Sequence, residues 1–134
     1  MIIKVLIVDD HSYTRAGLKS ILNIIESIEI IGEAKGGHEA IEMAVTHQPD
    51  LILMDINMPD LSGIDATREI IAKNPKVKIV AFSMHSGEKF VKEMLDAGAV
   101  GYILKEEVPD ELVRAIYKIT KGDIFLSSGV TRAA

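Results

Sequence analysis

The chain has 134 residues, 48% of them apolar and 4% aromatic, which suits one domain able to bury about two thirds of its extended surface. It contains no cysteine, which excludes disulfides, thiolate zinc sites, iron–sulfur clusters and thiol catalysis. With 15 basic and 20 acidic residues the net charge is −5, the wrong sign for a domain that grips nucleic acid or anionic lipid through phosphates.

The run Ile2–Val8 opens the chain as a strand, broken by Lys4 and ended by Asp9–Asp10. It is too short for a signal-peptide core followed by a cleavage site. No segment reaches the roughly 18 apolar residues of a membrane span, so a cytoplasmic protein without a membrane partner is expected. Leu18, Ile21, Leu22 and Ile25 then follow the spacing of an amphipathic helix. Ile28–Ala34 is a weaker strand, and Ile41, Ala44 and Val45 mark a second helix. Leu51–Met54 is a continuous apolar strand. Ile64, Thr67 and Ile71 mark a third helix, with Ser62 and Asp65 at capping-box spacing in front of it. Val77–Phe82 is a fourth strand, and Val91, Met94 and Leu95 a fourth helix. Val100–Leu104 is a fifth strand. Leu112, Val113, Ile116 and Ile119 form the last helix, with Pro109 in its first turn and Gly122 at its end.

Short Val/Ile-rich runs, apolar on both faces, suit buried parallel strands. Their alternation with helices, five times over, predicts an α/β doubly wound domain with helices on both faces of the sheet. This unit spans residues 1–122. Residues 123–134 form a tail without clear assignment, in which Ile124, Phe125 and Leu126 are able to fold back onto the domain.

Ligands in such sheets bind at the carboxyl ends of the strands. Asp9 and Asp10 follow the first strand, Asp55 the third, Ser83 ends the fourth and Lys105 follows the fifth. Taken singly, each reads most simply as a turn, cap or surface residue. Together they place three carboxylates, a hydroxyl and a lysine at one edge. Like charges at such range raise one another's pKa, a penalty that a divalent cation removes. Oxygen-only donors, few in number, favour Mg²⁺. Carboxylates, a hard metal, a lysine and a hydroxyl describe a phosphoryl-handling site in which one carboxylate can be the nucleophile. His11, His38, His47 and His85 lack metal-ligand spacing and read as surface or cap residues. Gly36–Gly37 lacks the further glycines of a nucleotide-binding loop.

The segments V-D-D-H at 8–11, L-M-D-I-N-M-P at 53–59, G-I-D at 63–65, A-F-S at 81–83 and G-Y-I-L-K at 101–105 resemble a response-regulator receiver domain over nearly the whole chain. Arg15–Leu18 and the segment Gly122–Ser127, with His11, resemble the NarL/FixJ, LuxR-type subfamily. The resemblance implies a (βα)5 flavodoxin-like, CheY-like fold with a parallel five-stranded sheet in the order 2-1-3-4-5. It implies that Asp55 is the phosphoacceptor, charged by a sensor histidine kinase. It implies that Asp9, Asp10 and Asp55 organise Mg²⁺ with the backbone carbonyl of Asn57. Lys105 is then the partner of the phosphoryl group, Ser83 the switch hydroxyl and Tyr102 the switch aromatic. Glu106 stands where many receivers have proline.

The expected function is a signalling switch, not an enzyme beyond slow self-phosphorylation and autodephosphorylation. Phosphorylation is expected to swing Tyr102, expected on the face of its strand away from Leu104, from an exposed to an inward rotamer. That change is expected to favour a homodimer. Control of transcription would require a helix-turn-helix DNA-binding domain, which the chain to Ala134 is too short to contain. A stand-alone receiver is the alternative. An aspartyl-phosphate phosphatase is a weaker rival, since Asn57 stands where such an enzyme wants a second acid. A flavodoxin-like electron carrier fits less well, because the acidic pair would repel a flavin phosphate.

Overall fold

The computed structural model describes residues 2–133, with side chains through residue 130. Its elements are β1 (Ile3–Val8), α1 (Ser12–Leu22), β2 (Ile28–Ala34), α2 (Gly37–His47), β3 (Leu51–Asp55), α3 (Gly63–Lys73), β4 (Lys78–Ser83), α4 (Glu88–Ala97), β5 (Gly101–Leu104), α5 (Val108–Thr120), β6 (Phe125–Leu126) and α6 (Ser128–Ala133). A single 3₁₀ turn, Lys105–Glu107, joins β5 to α5. All strand pairs are parallel, in the order β2-β1-β3-β4-β5-β6.

Alternation along the strands divides the core in two. Leu6, Val8, Ile52, Met54, Ile79, Ala81, Tyr102 and Leu104 face α2, α3 and α4. Val5, Ile7, Leu51, Leu53, Val80, Phe82 and Ile103 face α1 and α5. The central strands are therefore buried on both sides, which is why they read as unbroken apolar runs. β2 is an edge strand, mostly half-buried, with a bulge at Ile31 against β1. Edge position explains its weaker signal. Tyr102 and Leu104 share one face, as residues two apart on a strand must; the expectation that they point apart is corrected.

Ser62 caps α3 as its spacing predicts: its hydroxyl oxygen accepts from the Asp65 N–H at 3.2 Å. α2 is capped differently. Its N-cap is Gly36, which has no side chain to offer. Asp60, from the loop after β3, supplies both oxygens instead, accepting from Gly37 N–H at 3.0 Å and His38 N–H at 3.1 Å. These backbone bonds, His38 foremost, hold the Asp60 carboxyl below its ordinary range. A Cβ at Gly36 would overlap the Asp60 carboxylate, so the glycine pair makes room for a cap rather than for a nucleotide.

The sheet has six strands, not five. Phe125 N–H donates to Val100 carbonyl and Ser127 N–H to Tyr102 carbonyl, each at 3.0 Å. The Ser127 hydroxyl accepts from Leu104 N–H at 3.1 Å and donates to Glu107 Oε1 at 2.7 Å. Gly129 N–H reaches both Glu107 oxygens at 2.9 Å, and Glu111 accepts from the Ser128 N–H and hydroxyl. Burial opposes ionisation of Glu111, but Ser128 and Arg114 outweigh it and hold its carboxyl below the usual range. Two strand residues show no readable periodicity; carboxylates from a distant turn and helix hold this segment in place.

Ser127 is fully buried. Ser127→Ala would leave Leu104 N–H without its acceptor. A loss of about 1–3 kcal/mol in urea unfolding is expected, with faster hydrogen exchange at residues 125–130 than in β1 and β3. Unchanged exchange at 125–130 would show that the segment does not depend on this hydroxyl.

Candidate functional site

Strand register assembles the site. Val8 pairs with Met54, Asp55 with Phe82 and Ser83 with Leu104. Asp9, Asp55, Ser83 and Lys105 therefore end up in one row at the carboxyl edge. Lys105 Nζ lies 3.3 Å from Asp9 Oδ2 and 3.3 Å from Asp55 Oδ1. Asp9 and Asp55 are 0% and 2% exposed, so their charges interact with little water between them. Asn57 N–H is 3.4 Å from Asp55 Oδ1, and the Asn57 side chain is exposed.

Backbone contacts hold this row. Arg15, buried on α1, donates from Nη1 to the Asp9 carbonyl at 2.7 Å and from Nε to Glu33 Oε1 at 3.0 Å. Lys19 adds its ammonium to Glu33 at 2.9 Å, and the Lys19 and Arg15 contacts keep the Glu33 carboxyl low against mild burial. Gly63 N–H donates to the Ile56 carbonyl at 2.7 Å. A methyl on Gly63 would overlap the Asp55 carbonyl oxygen, so only glycine allows α3 to start this close to the acid.

Three carboxylates gather beside one ammonium, which contacts Asp9 and Asp55, leaving two uncompensated negative charges. Two buried oxygens, Asp10 Oδ1 and Asp55 Oδ2, have no hydrogen-bond partner. Donor atoms of Asp9, Asp10, His11 and Asp55 all lie within 4.8 Å of one another. Orphaned hard oxygens and a −2 excess fit a small divalent cation.

Of the residues picked out in the sequence, Asp9, Asp10, Asp55 and Lys105 come into one cluster. Ser83 and Tyr102 form the adjoining wall. The Ser83 hydroxyl accepts from His85 N–H at 3.0 Å. Tyr102 is 0% exposed and its hydroxyl donates to the His85 carbonyl at 2.6 Å. Burial raises the phenol's pKa, with Ser83 working in the other direction. The exposed starting rotamer expected for Tyr102 is thus corrected: the ring already lies in the core between sheet and α4, where Met94 and Val91 pack. No peptide bond is cis among the described residues, Lys105–Glu106 included.

Three contributors escaped the sequence reading as site residues. Arg15 had a signal, since an arginine on the apolar face of a helix needs a buried partner. Asp60 had none, because its partners lie 22 and 23 residues away. His11, expected as a surface or cap residue, is exposed and makes no side-chain cap, yet its Nδ1 lies 3.1 Å from Asp9 Oδ1 and 3.2 Å from Asp10 Oδ1. The Asp10 contact is close but not aligned as a hydrogen bond.

Residues 5–117 match the family described as response regulator receiver domain. The chain is 39% identical over 129 residues to the transcriptional regulatory protein DegU of Brevibacillus brevis, covering 96% of this chain and 55% of that protein. It is 36% identical over 127 residues to the nitrate/nitrite response regulator protein NarL of Escherichia coli K12, covering 95% of this chain and 59% of that protein. The chain thus spans less than two thirds of the length of these relatives. A crystal structure of a LuxR-family two-component response regulator from Aurantimonas sp. superposes with a TM-score of 0.94 at 32% identity, covering 99% of this chain and 95% of that one.

Burial, reinforced by the charge of Asp9 and opposed by Lys105, pushes the Asp55 carboxyl up to about 6 from an ordinary 3.8. A carboxyl raised in the folded state contributes its full stability below about pH 4 and loses it as pH rises through about 6. Two pKa units correspond to about 3 kcal/mol. In metal-free buffer the wild type should therefore lose stability of that order between pH 4 and pH 7.5. Asp55→Asn should flatten the loss and be the more stable protein at pH 7.5. Parallel urea-unfolding profiles for the two proteins across this range would refute the assignment of strain to Asp55.

Proposed function

The chain belongs to the response regulator receiver domain family, and we propose that Asp55 is its phosphoacceptor within a two-component system of NarL/FixJ type. The observation that carries this is the buried Asp55 carboxylate, with Oδ1 beside Lys105 and Oδ2 without a partner. Oδ2 attacks the phosphorus of a phosphohistidine on a sensor histidine kinase. The O–P bond forms as the P–N bond breaks, and the imidazole leaves. Lys105 neutralises charge on the incoming group. Mg²⁺ held by Asp10, Asp55 and the Asn57 carbonyl, with Asp9 beside them, would supply electrostatic stabilisation of the transferring phosphoryl oxygens. The domain is not a conventional enzyme. Self-phosphorylation from small phosphodonors and slow autodephosphorylation are its own chemistry.

The switch follows from the wall beside the acid. Phosphorylation adds close to two negative charges and strong acceptor oxygens. Ser83, whose oxygen accepts from His85 N–H, can donate its own hydroxyl hydrogen to one of them by moving toward Asp55, carrying the His85 contact with it. The Tyr102 hydroxyl holds the same loop through the His85 carbonyl, so ring and loop move as one. A local charge event acting on a bistable loop is the general design. We assign to it a shift from monomer to symmetric homodimer, two-fold pairing being the commonest geometry. Binding of DNA and control of transcription are assigned to a helix-turn-helix output domain outside this chain; the relatives are regulators about 1.7-fold longer, as their 55% and 59% coverage implies. No helix among the described residues is long and apolar enough to cross a membrane. We place the protein in the cytoplasm, where its kinase partner's phosphohistidine is available.

Two measurements test this. Acetyl phosphate with Mg²⁺ should add one phosphoryl group by intact mass, and Asp55→Asn should abolish it. An adduct surviving that substitution refutes the phosphoacceptor. Light scattering with beryllofluoride should show mass rising toward a dimer, less so in Ser83→Ala. Equal mass with and without the mimic, over a wide concentration range, removes the dimer switch and leaves the acceptor standing.

A further inference from the structure

We propose that Phe82 is a positioning residue for phosphoryl transfer that acts through Lys105: the face of its ring holds the ammonium that neutralises the incoming group. The proposal rests on the reading of Asp55 as the phosphoacceptor. Its basis is the place of the ring. Phe82 pairs in register with Asp55 on one side and with Ile103 on the other, so all three side chains leave the same face of the sheet. The ring is 2% exposed and packs in the layer under α1 and α5. Lys105, two residues beyond Ile103, lies over it. Its Nζ stands 5.4 Å from the ring centroid, within the roughly 6 Å at which a cation is drawn to a π face.

Lys105 needs such a support. Its ammonium is a point charge on a flexible four-carbon stem. Its contacts with Asp9 Oδ2 and Asp55 Oδ1 are both 3.3 Å, longer than the roughly 2.7–2.9 Å of a tight charge-assisted hydrogen bond. The carboxylates alone therefore leave the ammonium loosely placed. When a phosphoryl group arrives, the ammonium must turn toward its oxygens without leaving the pocket. A further carboxylate could hold it, but would add charge where the acids are already in excess. An aromatic face attracts the cation with no net charge and no lone pair competing for its N–H groups. The ring also keeps water from beneath the Lys105–Asp55 pair, and a lower local dielectric strengthens their attraction. An aliphatic side chain would exclude water as well, but would not attract the cation.

The test separates the ring's charge distribution from its bulk. In the whole chain, Phe82 is replaced site-specifically by mono-, di- and trifluorinated phenylalanine, which keep the shape and drain the π face. Two quantities are read. One is the rate of phosphoryl uptake at saturating acetyl phosphate with Mg²⁺, followed by intact mass. The other is the mobility of the Lys105 Cε methylene in the unphosphorylated protein, from NMR relaxation. The rate should fall stepwise with each added fluorine, and the methylene should grow more mobile in the same order. Phe82→Leu keeps an apolar side chain and removes the π face. It should slow uptake by about two- to thirtyfold, the span to which a cation–ring contact corresponds. Should Phe82→Leu fail to fold, the fluorinated series decides alone. Rate and mobility indifferent to fluorination would overturn the proposal even where Phe82→Leu is slow, since packing would then account for the ring. Failure of the underlying reading looks different: wild type would take up no phosphoryl group, or Asp55→Asn would still take one, while the mobility of Lys105 still followed the fluorine count.

Discussion

Everything at the carboxyl edge follows from burying like charges beside one lysine. Asp9 and Asp55 are almost wholly removed from water, and each approaches Lys105 Nζ at the same 3.3 Å. One ammonium cannot neutralise two buried carboxylates plus Asp10. Burial, reinforced by the charge of Asp9, pushes the Asp55 carboxyl up to about 6, and Asp10 Oδ1 and Asp55 Oδ2 are left without partners. A folded protein tolerates such strain where it serves a site. A positive charge brought to this edge would relieve it, which is the electrostatic ground for the proposed cation and phosphoryl chemistry.

The scaffold around the acids is built from contacts that join distant loops through backbone groups. Arg15 holds the Asp9 carbonyl and reaches β2 through Glu33. Gly63 lets α3 start against the Asp55 carbonyl. Asp60 extends from the same β3–α3 loop to cap α2. The loop that follows Asp55 is thereby closed at its ends by the hydrogen bond from Gly63 to Ile56 and held at its middle by the Asp60 cap. Rigid support of this kind keeps charged side chains at the separation that makes them reactive.

Two further connections lead outward from the site. Tyr102 ties the core of the sheet to the His85 carbonyl, on the same loop whose N–H holds Ser83. On the other side, the 3₁₀ turn that begins with Lys105 ends with Glu107, whose carboxylate receives Ser127 and Gly129. Leu104, one residue before Lys105, donates to the same Ser127 hydroxyl. The turn that begins with Lys105 therefore also carries groups that hold β6 and α6. The C-terminal segment is in mechanical contact with the site, one turn of chain away.

The alternation of five strands with five helices, the doubly wound sheet and the row of Asp9, Asp10, Asp55, Ser83 and Lys105 were legible in the sequence. Each depends on local order: apolar period reports burial on one or both faces, and a polar residue after a buried strand must lie at its end. The Ser62 cap was legible for the same reason, its partner being three residues away. Tertiary structure alone decided the sixth strand, the inward Tyr102, the Asp60 cap and the position of His11 against two carboxylates. These rest on pairings between residues far apart in the chain, or on a side-chain rotamer, and neither leaves a periodic trace. Residue order could say that three acids gather at one edge. Only the folded packing could say which of their oxygens Lys105 and the backbone satisfy, and which two are left open.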